Sequence, residues 1–176
     1  MVADKKRKGE LIVGLARKAV EEYVHNGKEI EPSSAEKEAL AVRRGVFVSL
    51  KNQGQLRGCI GTIEPVQENL AREIIKNAIS ACGHDPRFSP VRPEELSELD
   101  ISVDVLGEKE TIDGLEQLNP EKYGVIVKKG RRTGLLLPDL DGVDSSEKQV
   151  EIACKKAGVT YGADVQLYRF KVQRYN

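Results

Sequence analysis

The chain has 176 residues, 39% of them hydrophobic and 32% charged, with Lys plus Arg matching Asp plus Glu at 28 each. That length supports one domain with a sizeable core, and the neutral balance disfavours a dedicated binder of nucleic acid or anionic lipid. No apolar run approaches the roughly 20 residues that span a bilayer, and no secretory signal core follows the basic run Lys5, Lys6, Arg7 and Lys8. Cys59, Cys82 and Cys154 are odd in number and lack metal-ligand spacing, so the expected setting is a reducing cytoplasm.

In chain order, Leu11, Ile12, Leu15, Ala16, Ala19, Val20, Tyr23 and Val24 recur at helical spacing and predict an amphipathic helix that stops at Asn26-Gly27. Ser33 with Glu36 fits a capping box, opening a short helix to about Leu40. Val46–Leu50 and Leu56–Ile63 are β-rich on either side of Asn52-Gln53-Gly54, which predicts a hairpin. After Pro65, Val66, Leu70, Ile74, Ala78 and Cys82 form a stripe flanked by Ala71, Ile75 and Ile79, the mark of a deeply buried helix. Gly83, Pro86 and Pro90 end it. Leu99–Val105 alternates as a strand; Gly124–Lys128 and Thr133–Leu137 predict a second hairpin. Ser145 or Ser146 caps a helix ending at Gly158, and Val165–Val172 closes the chain as one strand. Hairpins separated by helices, without regular strand-helix-strand alternation, give an α+β fold with a mainly antiparallel sheet flanked by helices in two subdomains; a crossover after Ile63 leaves a mixed sheet open.

Chemistry concentrates first in Leu56–Thr62. Period-two geometry puts Arg57, Cys59 and Gly61 on one face, so that, with no bulge, the Arg57 cation lies beside the Cys59 thiol and favours thiolate. Gly58 and Gly61 are poor strand residues and mark a bend or a backbone that something approaches closely; here they are read as opening the strand to a ligand. A buried, structural cysteine is the competing reading. The second candidate is the loop His84-Asp85-Pro86-Arg87-Phe88: His84 can exchange a proton near neutrality, Asp85 can orient it, and Arg87 can grip a carboxylate or phosphate. The competing reading makes Asp85 a turn former, Phe88 a core plug and Arg87 a residue that pairs locally. Cys59 as nucleophile with His84 as base is therefore one possible catalytic pair, and Arg57, Gly58, Gly61, Asp85, Arg87 and Phe88 are ligand- or partner-binding candidates. Lys128, Lys129, Arg131 and Arg132 read first as a solvated hairpin tip and only second as a nucleic-acid contact, because no aromatic residue interleaves. Phosphate-loop, dinucleotide and HExxH motifs are missing, and two histidines are too few for a typical zinc site; no cofactor or metal is expected.

The stretch Leu56-Arg57-Gly58-Cys59-Ile60-Gly61-Thr62, with Asp85-Pro86-Arg87-Phe88, Ile101-Ser102-Val103, Gly134–Pro138 and Lys156-Ala157-Gly158 following in order, resembles the AMMECR domain over nearly the whole chain. The resemblance implies one AMMECR domain over residues 1–176, with the LRGCIG motif near a cleft and no assigned reaction. It also implies association with a MEMO-like protein (related in fold to extradiol dioxygenases) and a radical SAM protein, sometimes as a fusion with the MEMO-like part. Without a CxxxCxxC cluster motif or enough histidines for a dioxygenase metal set, this chain is expected to be the accessory member. It would present the strand and the loop to a small anionic ligand or a partner.

Overall fold

A computed structural model of the chain describes residues 2–176, with side chains from Lys6 onward, so the side chain of Lys5 lies outside the described residues. Two compact units result, one built from the chain up to Val105 together with Arg174–Asn176, the other from Leu106–Gln173.

In the first unit, α1 (Val2–Asn26) buries Ile12, Leu15, Ala16, Ala19 and Val20 and stops at Gly27, whose φ of +65° suits glycine. It begins well before Leu11. Apolar spacing marks only the packed turns, while exposed Lys6, Arg7 and Lys8, all good helix formers, extend it. The capping box of Ser33 and Glu36 opens α2 (Ser34–Ala39) as expected. β1 (Val46–Asn52) and β2 (Gln55–Thr62) form a hairpin whose two linking residues, Gln53 and Gly54, both have positive φ, at 48° and 78°.

Helix α3 (Leu70–Gly83) is capped by Asn69, whose side chain accepts the Arg72 N–H. It therefore starts after Val66, which is 67% exposed. β3 (Leu99–Leu106) pairs antiparallel with β1, and with β8 (Val172–Tyr175) completes a sheet of order β2-β1-β3-β8. α3 packs on α1 and on the hairpin, and the core between them is built from Val46, Val48, Leu50, Ile74, Ile75 and Ala78 with the buried face of α1.

The second unit has a four-stranded sheet of order β4-β7-β5-β6: β4 (Glu110–Ile112), β5 (Gly124–Lys129), β6 (Arg132–Leu136) and β7 (Gln166–Phe170). α4 (Ser146–Ala157), capped by Ser145 and ended by Gly158 at φ +65°, covers β5 and β6, burying Val150 and Ala153 against Val125, Val127 and Leu136. The fold is α+β, with its antiparallel strands divided between two sheets.

The strand expected over Val165–Val172 is two strands, broken at Lys171, whose carbonyl accepts the Gly107 N–H at 2.8 Å. β7 belongs to the second sheet and β8 to the first. Alternation along one chain reports burial, not which sheet supplies it. β4 has three residues, too few to show a period.

Candidate functional site

Sheet geometry sets the site. Gly58 opposes Leu50 and Cys59 opposes Ser49 across the hairpin. A Cβ on Gly58 would meet the Ala81 carbonyl oxygen at 2.2 Å and the Leu50 side chain at 3.6 Å, so this residue faces α3. Its lack of a side chain lets helix and strand close together. Cys59 points the other way, where Ser49 Oγ donates to its Sγ at 3.2 Å. Next along that face, a Cβ on Gly61 would collide with the Phe47 ring at 2.3 Å. The space at both glycines is therefore filled from within the protein, at Gly58 by a helix backbone and at Gly61 by an aromatic ring and the Val46 carbonyl.

Arg57 does not stand beside Cys59 as strict alternation predicts. The register shifts between Leu50, opposite Gly58, and Lys51, opposite Leu56, leaving Arg57 as the extra residue of a bulge. Its guanidinium forms a fork with Glu95 (Nε to Oε1 2.7 Å, Nη2 to Oε2 3.0 Å) and donates to the carbonyls of Ser89 and Pro90 at 2.8 and 3.1 Å. Those bonds pin the loop after α3 to β2. The pairing holds the Glu95 carboxyl down at about 2.

The cation at Cys59 is Arg87. Its Nη2 donates to the Cys59 carbonyl at 2.9 Å and to Asp85 Oδ2 at 2.7 Å, while its Nε donates to Asp85 Oδ1 at 2.9 Å. Asp85 is buried. It also accepts the N–H of Cys59 at 2.9 Å and of Arg87 at 3.1 Å. Hydrogen bonds from Arg87, then from the Cys59 and Arg87 backbones, outweigh the cost of burial and hold this carboxyl well below the usual range. Arg87 is raised in turn, chiefly by Asp85 and to a lesser degree by Cys59. The Arg87 side chain is still 53% exposed and lies 5.4 Å over the Phe88 ring. Nη1 takes no part in these bonds.

His84, which caps the C-terminus of α3, points elsewhere. Its Nε2 is hydrogen-bonded to the Tyr23 hydroxyl of α1 at 3.0 Å, and the two rings are 5.6 Å apart. The bonds of Cys59 go instead to Ser49, Asp85 and Arg87. Cys59, Asp85 and Arg87 thus meet, Arg57 reaches the same loop from the bulge, and His84 is turned to α1.

One group was not legible from the motifs. Glu73, fully buried on α3, accepts from Thr62 Oγ1 at 2.6 Å and from the N–H groups of Val66 and Gln67 at 2.9 and 2.8 Å. Asn77, one turn on, donates to Thr62 Oγ1 at 3.2 Å. Together they fix the end of β2 and the turn that follows it. The signal available was two polar residues four apart inside an otherwise apolar helix face. Elsewhere, a groove of about 450 Å³ beside α1 and α2, lined by Leu15, Lys18, Glu21, Ile30 and Glu36 among others, includes none of the predicted site residues. Among the described residues no group of three or more His, Cys, Asp or Glu could hold a metal, and no helix is long and apolar enough to cross a membrane.

The arrangement at Cys59 can be set against known proteins. The AMMECR1 family model matches residues 13–175. This chain belongs to the AMMECR1 family. A protein of Thermotoga maritima is 52% identical over 163 residues, covering 91% of this chain and 94% of that protein. A Clostridium acetobutylicum protein is 49% identical over 173 residues, covering 97% of this chain but 37% of its own length, so an AMMECR1 segment can sit inside a much longer polypeptide. The crystal structure of an uncharacterized protein from Pyrococcus horikoshii has the same fold, with a TM-score of 0.89, 36% identity and coverage of 96% of this chain and 91% of that one.

Proposed function

We propose that this AMMECR1-family chain is a cytoplasmic binding domain, a single AMMECR unit that takes a small anionic ligand at the Cys59–Arg87 face. The observation that carries the reading is the state of Arg87. Both oxygens of Asp85 are already bonded inward, whereas the Arg87 side chain stays 53% exposed beside Cys59, whose thiol accepts from the Ser49 hydroxyl. An incoming anion meets donors there rather than carboxylate oxygens, and charge-assisted bonds to guanidinium are the stronger kind. Phe88 supports Arg87 from below, Arg57 and Gly58 hold the loop and α3 in place, and Gly61 gives room to the Phe47 ring.

The family resemblance further supports service alongside a MEMO-like and a radical SAM protein, and the longer Clostridium relative supports attachment to another domain in some proteins. An enzyme using Cys59 as nucleophile and His84 as base is the weaker reading, because the imidazole is engaged by Tyr23.

The test is an amide-resolved NMR titration with inorganic phosphate and, separately, acetate. Saturable shifts centred on Ser49, Cys59 and Arg87 in the native protein, lost in Arg87→Ala, are expected. Shifts centred elsewhere, or unaltered by Arg87→Ala, overturn the reading.

A further inference from the structure

The chain's neutral charge balance hides a local segregation in the second unit. The β5–β6 hairpin tip carries Lys128, Lys129, Arg131 and Arg132, and the last turn of α4 carries Lys155 and Lys156; all six are exposed. Two contacts bring these elements together with the loop that follows α4. Arg132 Nη1 donates to the Gly158 carbonyl at 2.9 Å, and Lys129 Nζ pairs with Asp164 at 2.6 Å. Lys129 and Arg132 are the closing pair of the hairpin, so residues 158–164 are tied at both ends to the base of its tip. Tyr161, 48% exposed, lies midway along that tied loop. Lys128, Arg131 and Lys155 form no ion pair among the described residues, and Asp164, the one acid in the loop, is taken by Lys129.

The sequence places nucleic acid last for this segment because no aromatic residue interleaves with the cations. The fold supplies one from 29 positions beyond Arg132. We infer that the hairpin tip, the end of α4 and Tyr161 form a surface for single-stranded nucleic acid, with the cations following the phosphates and the exposed ring stacking on a base. Cations along the backbone and an aromatic platform are the two parts such binding needs, and it requires no base-specific contact. This surface is independent of the Cys59 face.

The test is fluorescence anisotropy of the full chain with a labelled oligouridylate of about 12 nucleotides, a length within the usual range for such sites. If Lys128, Arg131 and Lys155 each neutralise one phosphate, affinity falls about 20-fold between about 50 and 200 mM salt. The triple variant Lys128→Glu, Arg131→Glu, Lys155→Glu, confined to exposed side chains, is expected to abolish binding while keeping the native thermal transition. Tyr161→Ala should weaken oligouridylate about fivefold or more while leaving inorganic polyphosphate, which has no base to stack, unchanged. Absence of binding at the lower salt, binding that survives the triple variant, or equal loss of both ligands in Tyr161→Ala each overturns the inference. Oligouridylate binding that is indifferent to Tyr161→Ala identifies a general polyanion patch and overturns the nucleic-acid assignment.

Discussion

Asp85 stands in for a neighbouring strand at Cys59: its Oδ2 accepts the Cys59 N–H at 2.9 Å, and the arginine it holds returns a donor to the Cys59 carbonyl at 2.9 Å. β2 is an edge strand, and edges expose backbone groups that invite pairing with other chains. Two side chains two residues apart satisfy both groups of Cys59 without a further strand. Asp85→Ala should cost about 2–3 kcal/mol in urea unfolding, since it strips a part-buried edge amide of its acceptor and Arg87 of its anchor. Native-state hydrogen exchange should show the Cys59 amide losing protection more than its neighbours. Uniform loss across the chain would contradict this edge-cap role.

Arg57→Ala should destabilise by about 2–3 kcal/mol, because four hydrogen bonds to Glu95, Ser89 and Pro90 go with it. The same pair predicts acid behaviour. Glu95 has a folded-state value near 2, below the ordinary carboxylate value of about 4.3 it regains on unfolding. Its contribution is therefore complete above that ordinary value and is lost as the pH falls toward 2. Between about pH 5 and 2 the native protein should lose more stability than Arg57→Ala does, in parallel urea titrations.

Gly58→Ala and Gly61→Ala should both be costly, against different partners. The first sets a methyl against the Ala81 carbonyl of α3, and the second against both the Phe47 ring and, at 2.5 Å, the Val46 carbonyl oxygen, so each meets backbone that cannot turn aside. Both substitutions are expected to cost about 2–3 kcal/mol. Unchanged thermal unfolding in either variant would argue against the close approach at that glycine.

At the buried Glu73, the two substitutions separate shape from charge. A glutamine can keep its oxygen on the Val66 and Gln67 amides and turn its NH2 to the Thr62 hydroxyl, so Glu73→Gln should cost about 1 kcal/mol. Glu73→Ala leaves three donors without an acceptor and should cost about 3 kcal/mol or more. Chemical denaturation of both variants checks the ratio.

Alkylation should distinguish the three thiols. Cys82 and Cys154 are buried, and burial pushes both thiols up, Cys82 to about 11. Cys59 is part-exposed beside Arg87. Iodoacetamide at neutral pH should label Cys59 alone in the native protein and all three thiols in urea, because only Cys59 is part-exposed when folded. Peptide mapping reads both outcomes.

The elements legible in advance were those whose burial is written at one period. α1 and α3 showed their stripes, and the first hairpin its turn. The site was half legible. That Leu56–Thr62 and the loop at Asp85–Arg87 matter was visible in the residue types, but the pairing of Arg87, rather than Arg57, with Cys59 was not. A single extra residue in β2 decides that, and a bulge leaves alternation on either side looking regular. His84 was misleading for another reason. Its neighbours in sequence lie at β2, yet its own partner, Tyr23, is 61 residues away. At the two glycines, what approaches closely is the Ala81 carbonyl at Gly58 and the Phe47 ring with the Val46 carbonyl at Gly61.

The division of the chain has a consequence for synthesis. The second unit is one uninterrupted stretch, Leu106–Gln173, nested within the first, whose buried Asp104 gains its Arg174 partner and whose core gains Tyr175 from beyond that stretch. On the ribosome, the nested unit has all of its residues before the earlier-made one does. The strand bearing Cys59 emerges early, then waits for residues 174 and 175 before the sheet it belongs to can close.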